Sequence, residues 1–313
     1  MASETNDRVM LGLLMRLVAV FFHSTMNAFI KLAEERGASL AEILFWRQAT
    51  AVPLLVALAW CGPGLVALKT RRIGAHTVRA AIGLTGMMLI ISSVAMLPLA
   101  EAVTLQYTIP IFATILGAVF LAERPGWHRW GAVLVGFAGV LIVARPGSGD
   151  LPALGVLMAL CGAVVGAIVP ILLRHMAKTE GVIAMVFYFS ALPVPPLAIL
   201  YLFHFTPHDP WTWGMLVAIG VTGTLGQLAV SSALKYAPVS TVVPMDYSSI
   251  IWASLYGLLF FGVLPVWTTW AGAVLIAMSS VYIVMRERRL EKAMLRAGAE
   301  PLSAPKASGR DRV

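Results

Sequence analysis

Residues 10–32 read MLGLLMRLVAVFFHSTMNAFIKL, a run in which only Arg16, His23 and Lys31 can carry a charge. Crossing a hydrocarbon layer of about 30 Å takes roughly 20 helical residues, and this stretch has that length and character. It lacks the short apolar core and small-residue cleavage site of a secretory leader, so it reads as a first membrane span. Runs of the same kind return at 40–60, 78–97, 100–121, 127–144, 152–173, 182–204, 211–234, 237–261 and 265–285. The expected fold class is all-α, a polytopic membrane protein of ten transmembrane helices. Connections as short as Pro98-Leu99 and Lys235-Tyr236 would fold neighbouring helices into tight antiparallel hairpins.

Composition points the same way. Hydrophobic residues fill 59% of the 313 positions and charged residues 12%, too little polar surface for a water-soluble domain. The formal net charge is +8, but the basic residues fall in loops between apolar runs rather than on one compact face. No nucleic-acid partner is expected from that distribution. Cys61 and Cys161 lie far apart, each in or beside an apolar run. They read as packing residues, with no disulfide framework, metal site or cofactor implied.

Lys and Arg gather in the cytoplasmic loops of membrane proteins. Ten spans put both termini on one side, and with the N-terminus inside, that side holds Arg8, Lys69, Arg71, Arg72, Arg79, Arg124, Arg129, Arg174, Lys178, Lys235 and the tail from Arg286. The other side holds little beyond Arg36 and Arg145. Both termini are expected in the cytoplasm of a cell whose inner membrane holds the bundle. The tail, 286–313, turns rich in Ala, Gly, Ser and Pro and is expected to be mostly disordered, its first turns lying along anionic lipid. Trp127, Trp130, Trp211, Trp213, Trp267 and Trp270 fall at helix ends and read as interfacial anchors.

The chain also repeats itself. Leu11-Gly12-Leu13-Leu14-Met15 returns as Leu154-Gly155-Val156-Leu157-Met158, and in the same register Lys31 meets Arg174 and Phe45-Trp46 meets Tyr188-Phe189. Ile82-Gly83-Leu84-Thr85-Gly86 matches Ile219-Gly220-Val221-Thr222-Gly223, and Trp127, Trp130 and Gly131-Ala132-Val133-Leu134 match Trp267, Trp270 and Gly272-Ala273-Val274-Leu275. The expected division is 1–9 as a cytoplasmic N-terminus, 10–145 and 146–285 as five-helix repeats, and 286–313 as the tail. An odd number of spans per repeat inverts one half relative to the other, the design of secondary transporters that alternate between outward-open and inward-open states.

The stretch Ala100-Glu101-Ala102 through Tyr107-Thr108-Ile109-Pro110, then Leu121-Ala122-Glu123-Arg124, Gly131, Gly136, Gly139 and Ala144-Arg145-Pro146-Gly147, resembles the drug/metabolite transporter superfamily, in particular proteins with two EamA domains. The resemblance covers nearly the whole chain and implies ten helices in two inverted repeats that move small organic metabolites without ATP. In the second half Glu123 is matched by an apolar residue near Phe260, so that copy departs from the pattern. His76-Thr77-Val78-Arg79 and Leu97-Pro98-Leu99-Ala100-Glu101 resemble the branch with S-adenosylmethionine and riboflavin importers.

Polar residues inside spans mark the candidate site, because each charge there costs at least about 2.5 kcal/mol unless it faces the bundle interior. Arg16, His23, Asn27 and Lys31 share one helical face and should line a cavity. His23 and Asn27 could equally serve as interhelical hydrogen bonds, worth about 0.6 kcal/mol each. In the fourth span Glu101, Thr104 and Thr108 share a face, Tyr107 flanks it, and Pro110 frees the carbonyl of Gln106. The ninth span has Pro244 freeing Ser240, with Asp246, Tyr247, Ser248 and Ser249 following. Paired interruptions at matching places in two halves point to a transport site, with plain kinks as the alternative.

Arg16 lies at a depth suited to pairing with Asp246, as an ion pair or a gate, and Asp246 beside the break could exchange a proton. Arg47 could hold an anionic group of the substrate, or be structural. Gln227 shares a face with Gly220, Gly223 and Ser231 and is a further candidate for the cavity wall. A small-molecule substrate and membrane lipid are the expected partners. Intramembrane catalysis and a passive channel are the competing functions. GxxxxGK[ST], HExxH and GxSxG are all missing from the sequence, which removes the usual signatures of ATP hydrolysis, zinc proteolysis and serine chemistry.

Overall fold

The computed structural model describes residues 2–120, 127–145, 150–176, 179–236 and 243–296. Among these residues the regular structure is entirely helical. The helices are α1 (Ala2–Glu35), α2 (Leu40–Cys61), α3 (Ile73–Met96), α4 (Leu99–Gln106), α5 (Ile109–Phe120), α6 (Trp127–Ala144), α7 (Ala153–Met176), α8 (Val182–Ala191), α9 (Val194–Phe203), α10 (Pro210–Tyr236), α11 (Ser249–Phe261) and α12 (Trp267–Arg296). A 3-10 turn, Val243–Ser248, leads into α11. Five stretches, Met10–Glu35, Leu40–Cys61, Ile73–Met96, Val182–Phe203 and Pro210–Tyr236, are long and apolar enough to cross a membrane. Large apolar side chains such as Leu134, Leu141, Leu202 and Ile251 stand on the outside of the bundle, a surface suited to lipid.

Among the described residues three of the ten expected spans are interrupted, the fourth and ninth as their prolines suggest and the seventh unexpectedly. The fourth stops at Gln106 and restarts at Ile109, with Tyr107 N–H and Thr108 N–H each reaching back only three residues, to Thr104 and Leu105. Pro110 therefore stands in the first turn of α5, where a helix needs no N–H from it, rather than inside one long helix. The seventh breaks between α8 and α9, where Pro193, Pro195 and Pro196 withhold three N–H groups. Pro193 would have bonded the carbonyl of Phe189, which instead accepts from the buried Gln48 amide of α2 at 3.1 Å. In the ninth span Pro244 falls in the 3-10 turn, and Ser240 lies outside the described residues.

The pairing of helices repeats across the halves. The broadest contacts join α1 to α10 and α3 to α7, the first span of each half against the third span of the other. The last helices, α6 and α12, pack together where a Cβ on Gly139 would come 3.0 Å from the Gly272 carbonyl and one on Gly272 would come 2.7 Å from that of Gly139. Glycine is what allows this approach.

A cluster of Thr, His and Glu ties the halves at each end of the bundle. At one end the fully buried Glu42 caps α2 with Ser39, accepts from the N–H and hydroxyl of Thr206, both at 3.1 Å, and meets His208 Nε2 at 3.1 Å. At the other, Glu180 accepts from the Thr70 hydroxyl at 3.0 Å and meets His76 Nε2 at 3.3 Å. In both, residues at the entry to the third span of one half grip a glutamate at or beside the start of the second span of the other.

Several expectations are corrected. The third span begins at Ile73, not Val78, so His76 and Arg79 are buried in the bundle instead of sitting in a loop. The first turns of the tail continue α12 to Arg296, because the charged residues there keep helical propensity after the apolar face ends; 297–313 lies outside the described residues. Cys61 and Cys161 are exposed rather than packed in the core. Trp213 is half-buried against Trp46 at 5.5 Å, while Trp127, Trp211 and Trp267 stay exposed at helix starts. Glu123, Arg124, Pro146, Gly147 and Lys178 lie outside the described residues.

Candidate functional site

A cavity of about 370 Å³ opens in the middle of the bundle. Its wall takes Arg16, His23 and Asn27 from α1, Arg47 from α2, Arg79 from α3, Phe189 from α8 and Gln227 from α10. Tyr107 and Pro110 come from the α4–α5 break, and Asp246, Tyr247 and Ser249 from the break before α11. Leu173 and Leu234, near the ends of α7 and α10, and Arg16, in the first half of α1, show which way it extends. It runs from mid-bundle toward the end where α1 and α3 begin.

The helical stripe of α1 is divided between two hollows. Lys31 turns away to a hollow of about 480 Å³ at the opposite end, beside Glu35, Glu101 and Phe261, and its ammonium donates to the Leu97 carbonyl at 3.0 Å. Thr104 and Thr108 are fully buried and do not line the central cavity. The reason is the break at Tyr107: α4 is buried all round, so its hydroxyls face protein, and Thr108 Oγ1 donates to the Leu105 carbonyl at 2.7 Å. Glu101 accepts from Thr269 Oγ1 at 2.7 Å, tying α4 to α12.

Arg16 and Asp246 form a two-pronged pair, with Nε on Oδ1 and Nη2 on Oδ2, both at 2.5 Å. Planar guanidinium against planar carboxylate satisfies two donors at once. The pair lies at the mouth, with Asp246 about a third exposed at 32%. Behind it, Tyr107 joins the two breaks. Its hydroxyl donates to the Tyr247 carbonyl at 2.9 Å and accepts from the Ile250 N–H at 2.8 Å, and its ring meets that of Tyr247 edge-on at 4.9 Å. Ser280 of α12 donates to the Tyr107 carbonyl at 3.0 Å. One tyrosine thus supplies partners for backbone groups that an interrupted helix would leave unmade.

Among the described residues neither Arg47 nor Arg79, the two arginines deep in the cavity wall, has a carboxylate within ion-pair distance. Arg47 donates Nη1 to Gln48 Oε1 at 3.1 Å and Nε to the Met26 sulfur at 3.4 Å. Arg79 donates Nη1 to the Met185 carbonyl at 3.2 Å, and its buried Nε has no hydrogen bond. Both guanidiniums lie over the ring of Phe189, at 5.8 and 4.6 Å from its centroid. Glycines make the room. A Cβ on Gly83 would strike Phe189, one on Gly223 would press on Met26 and Arg47, and one on Gly226 would meet the His23 ring.

Of the residues singled out in the sequence, nine line this cavity: Arg16, His23, Asn27, Arg47, Tyr107, Pro110, Gln227, Asp246 and Tyr247. Ser249, named with the ninth-span break, lines it too, and Arg79 and Phe189 join them without having been singled out for the site. A signal for Arg79 existed: with Gly83, Gly86 and Ile90 it forms one helical stripe, hidden because hydropathy alone starts the span too late.

The EamA-like transporter family matches the chain at residues 10–145 and again at 153–285. The pseudopaline exporter CntI of Pseudomonas aeruginosa is 30% identical over 278 residues, 88% of this chain and 96% of that protein. A riboflavin transporter of Vibrio cholerae is 30% identical, covering 71% of this chain and 75% of its own length. An S-adenosylmethionine uptake transporter of Rickettsia felis is 26% identical over the same shares. A solved structure with 20% identity superimposes with a TM-score of 0.62 over 90% of this chain and 98% of its own, which shows the fold alone. With both halves matched and such relatives along most of its length, the chain belongs to the EamA-like transporter family of integral membrane proteins, a family of carriers and not of enzymes.

Proposed function

We propose that the protein carries a small organic metabolite across a bacterial inner membrane by alternating access, with the central cavity as its substrate site. One observation carries this: the cavity sits where the interrupted span of one half touches the interrupted span of the other, Tyr107 against Tyr247 and Ile250. Backbone breaks at membrane depth are tolerated where they line such a cavity.

Residues 10–145 and 146–285 act as the two moving repeats, and 286–313 as a basic cytoplasmic end. Lys69, Arg71, Arg72 and Lys235 lie at the end toward which the cavity reaches. On the positive-inside rule that end is cytoplasmic, along with both termini, and the cavity faces inward. Arg16 and Asp246 then form the inner gate, parting as substrate enters, and Asp246 is the group on which a proton exchanges.

The test is exchange by purified protein in lipid vesicles. Riboflavin, S-adenosylmethionine and pseudopaline, named for its relatives, form the first panel, followed by nucleosides, amino acids and vitamins. Uptake or counterflow above empty vesicles is expected for at least one class. None across the panel, with protein shown to be folded, overturns the proposal.

A further inference from the structure

The charges around the central cavity do not balance. Arg16 and Asp246 cancel each other, which leaves Arg47 and Arg79. Among the described residues neither has a carboxylate within ion-pair distance. Both guanidiniums are buried, at 5% and 2% exposure, and Arg79 Nε makes no hydrogen bond. A structural arginine inside a membrane bundle is expected to meet a carboxylate or enough carbonyls to use its donors. Here the hydrogen-bond partners are one carbonyl, one amide oxygen and one thioether sulfur, shared between two arginines.

The two arginines also converge. Each lies over the ring of Phe189, and Gly83 and Gly223 leave space for the ring and for Arg47. The surrounding wall is apolar, with Ile90, Ile91, Val103, Val169 and Leu173. We infer that the transported substrate is an organic anion, its carboxylate or phosphate held by Arg47 and Arg79 beside Phe189 and its apolar or flat body against the aliphatic wall. This rests on the cavity being the transport site. Planar guanidinium forks recognise such oxyanions through paired hydrogen bonds. The Arg16–Asp246 pair at the mouth leaves the inner arginines as the positive end of the pocket.

The experiment compares acids with their uncharged counterparts. N-acetylphenylalanine, indole-3-acetate and phenyl phosphate, with the matching amides and phenol, are titrated against detergent-solubilised protein at low salt while thermal unfolding is followed by tryptophan fluorescence. Acids are expected to stabilise the protein and their neutral partners not to. Arg47→Gln and Arg79→Gln are each expected to weaken acid binding at least about tenfold, with Arg79→Lys recovering part of the loss. Equal stabilisation by acids and amides overturns the inference, as does stabilisation by no acid, or acid binding unchanged in both glutamine variants. The acid-over-amide comparison uses the natural sequence, so a variant that fails to fold leaves it intact. In vesicles, transport of only neutral or cationic compounds overturns the anion assignment while sustaining the transporter. Absence of all transport overturns the transporter, even where acid-selective binding is seen.

Discussion

Arg16 and Asp246 stand 230 residues apart in the chain and meet edge to edge, two N–H groups on two carboxylate oxygens. Removing one partner of a buried pair costs about 3–5 kcal/mol, and the partial exposure of Asp246 places this pair below that range. Asp246→Asn is expected to lower thermal stability modestly, and to abolish exchange or flatten its pH dependence in vesicles. The reversed pair, Arg16→Asp with Asp246→Arg, should recover stability but not transport. Recovery of both would leave the pair a strut and remove Asp246 from the transport cycle.

Tyr107→Phe removes one hydroxyl that serves two backbone groups, the Tyr247 carbonyl and the Ile250 N–H. Unpaired buried groups cost about 1–3 kcal/mol each. The variant should unfold at lower temperature and exchange substrate more slowly. An unfolding midpoint equal to that of the parent protein would show that water replaces the phenol.

Gly83→Ala places a methyl where Phe189 Cε2 would be 2.5 Å away, whereas Gly74, near the start of the same helix, has nothing within 4 Å of its Cβ position. Overpacking of this sort costs about 1–3 kcal/mol. Gly83→Ala should shift the ring, weaken binding and destabilise the fold. Gly74→Ala should stay within about 0.5 kcal/mol of the parent. Chemical denaturation of the two side by side checks the contrast.

Asp209 caps α10 from outside the span. The Thr212 hydroxyl holds its carboxyl below the usual range, and the Trp211 N–H, donating at 3.2 Å, adds to the effect. A carboxyl whose folded value is depressed stabilises the protein above the ordinary carboxylate pKa, and that stabilisation fades as pH falls through the folded value. Asp209→Ala should therefore lower the melting temperature near neutrality, with the gap closing in acid. A gap that persisted at a pH where the carboxyl is protonated in both states would show a contribution from shape rather than charge.

Much of the site could be read from sequence because polar residues in a membrane span are conspicuous. Arg16, His23 and Asn27 kept their common face because α1 runs uninterrupted from Ala2 to Glu35, and Asp246 was marked by the break beside it. Thr104 and Thr108 misled for the converse reason: a face drawn through four residues per turn does not survive the interruption at Tyr107. Arg79 was hidden by hydropathy, since Gly74, His76 and Thr77 dilute the start of α3 until it resembles a loop. Phe189 could not be found, because nothing in an apolar run says which ring will lie beneath two guanidiniums. Pro193, Pro195 and Pro196 were plain in the sequence, yet the surrounding leucines and isoleucines made the span look continuous.

The elbow at Pro193 has a mechanical consequence. Its freed carbonyl is claimed by Gln48, whose own oxygen is claimed by Arg47, so straightening it would strand an amide in a dry interior. An elbow bonded in its bent form is a bearing, not a spring. The joint at Tyr107 turns instead on a hydroxyl that lies 2.9 Å from both the Tyr247 carbonyl and Ser249 Oγ, so that it has a second acceptor at hand. If the halves rock, the pivot belongs where α2 meets the α8–α9 corner, and the travel belongs at the tyrosine.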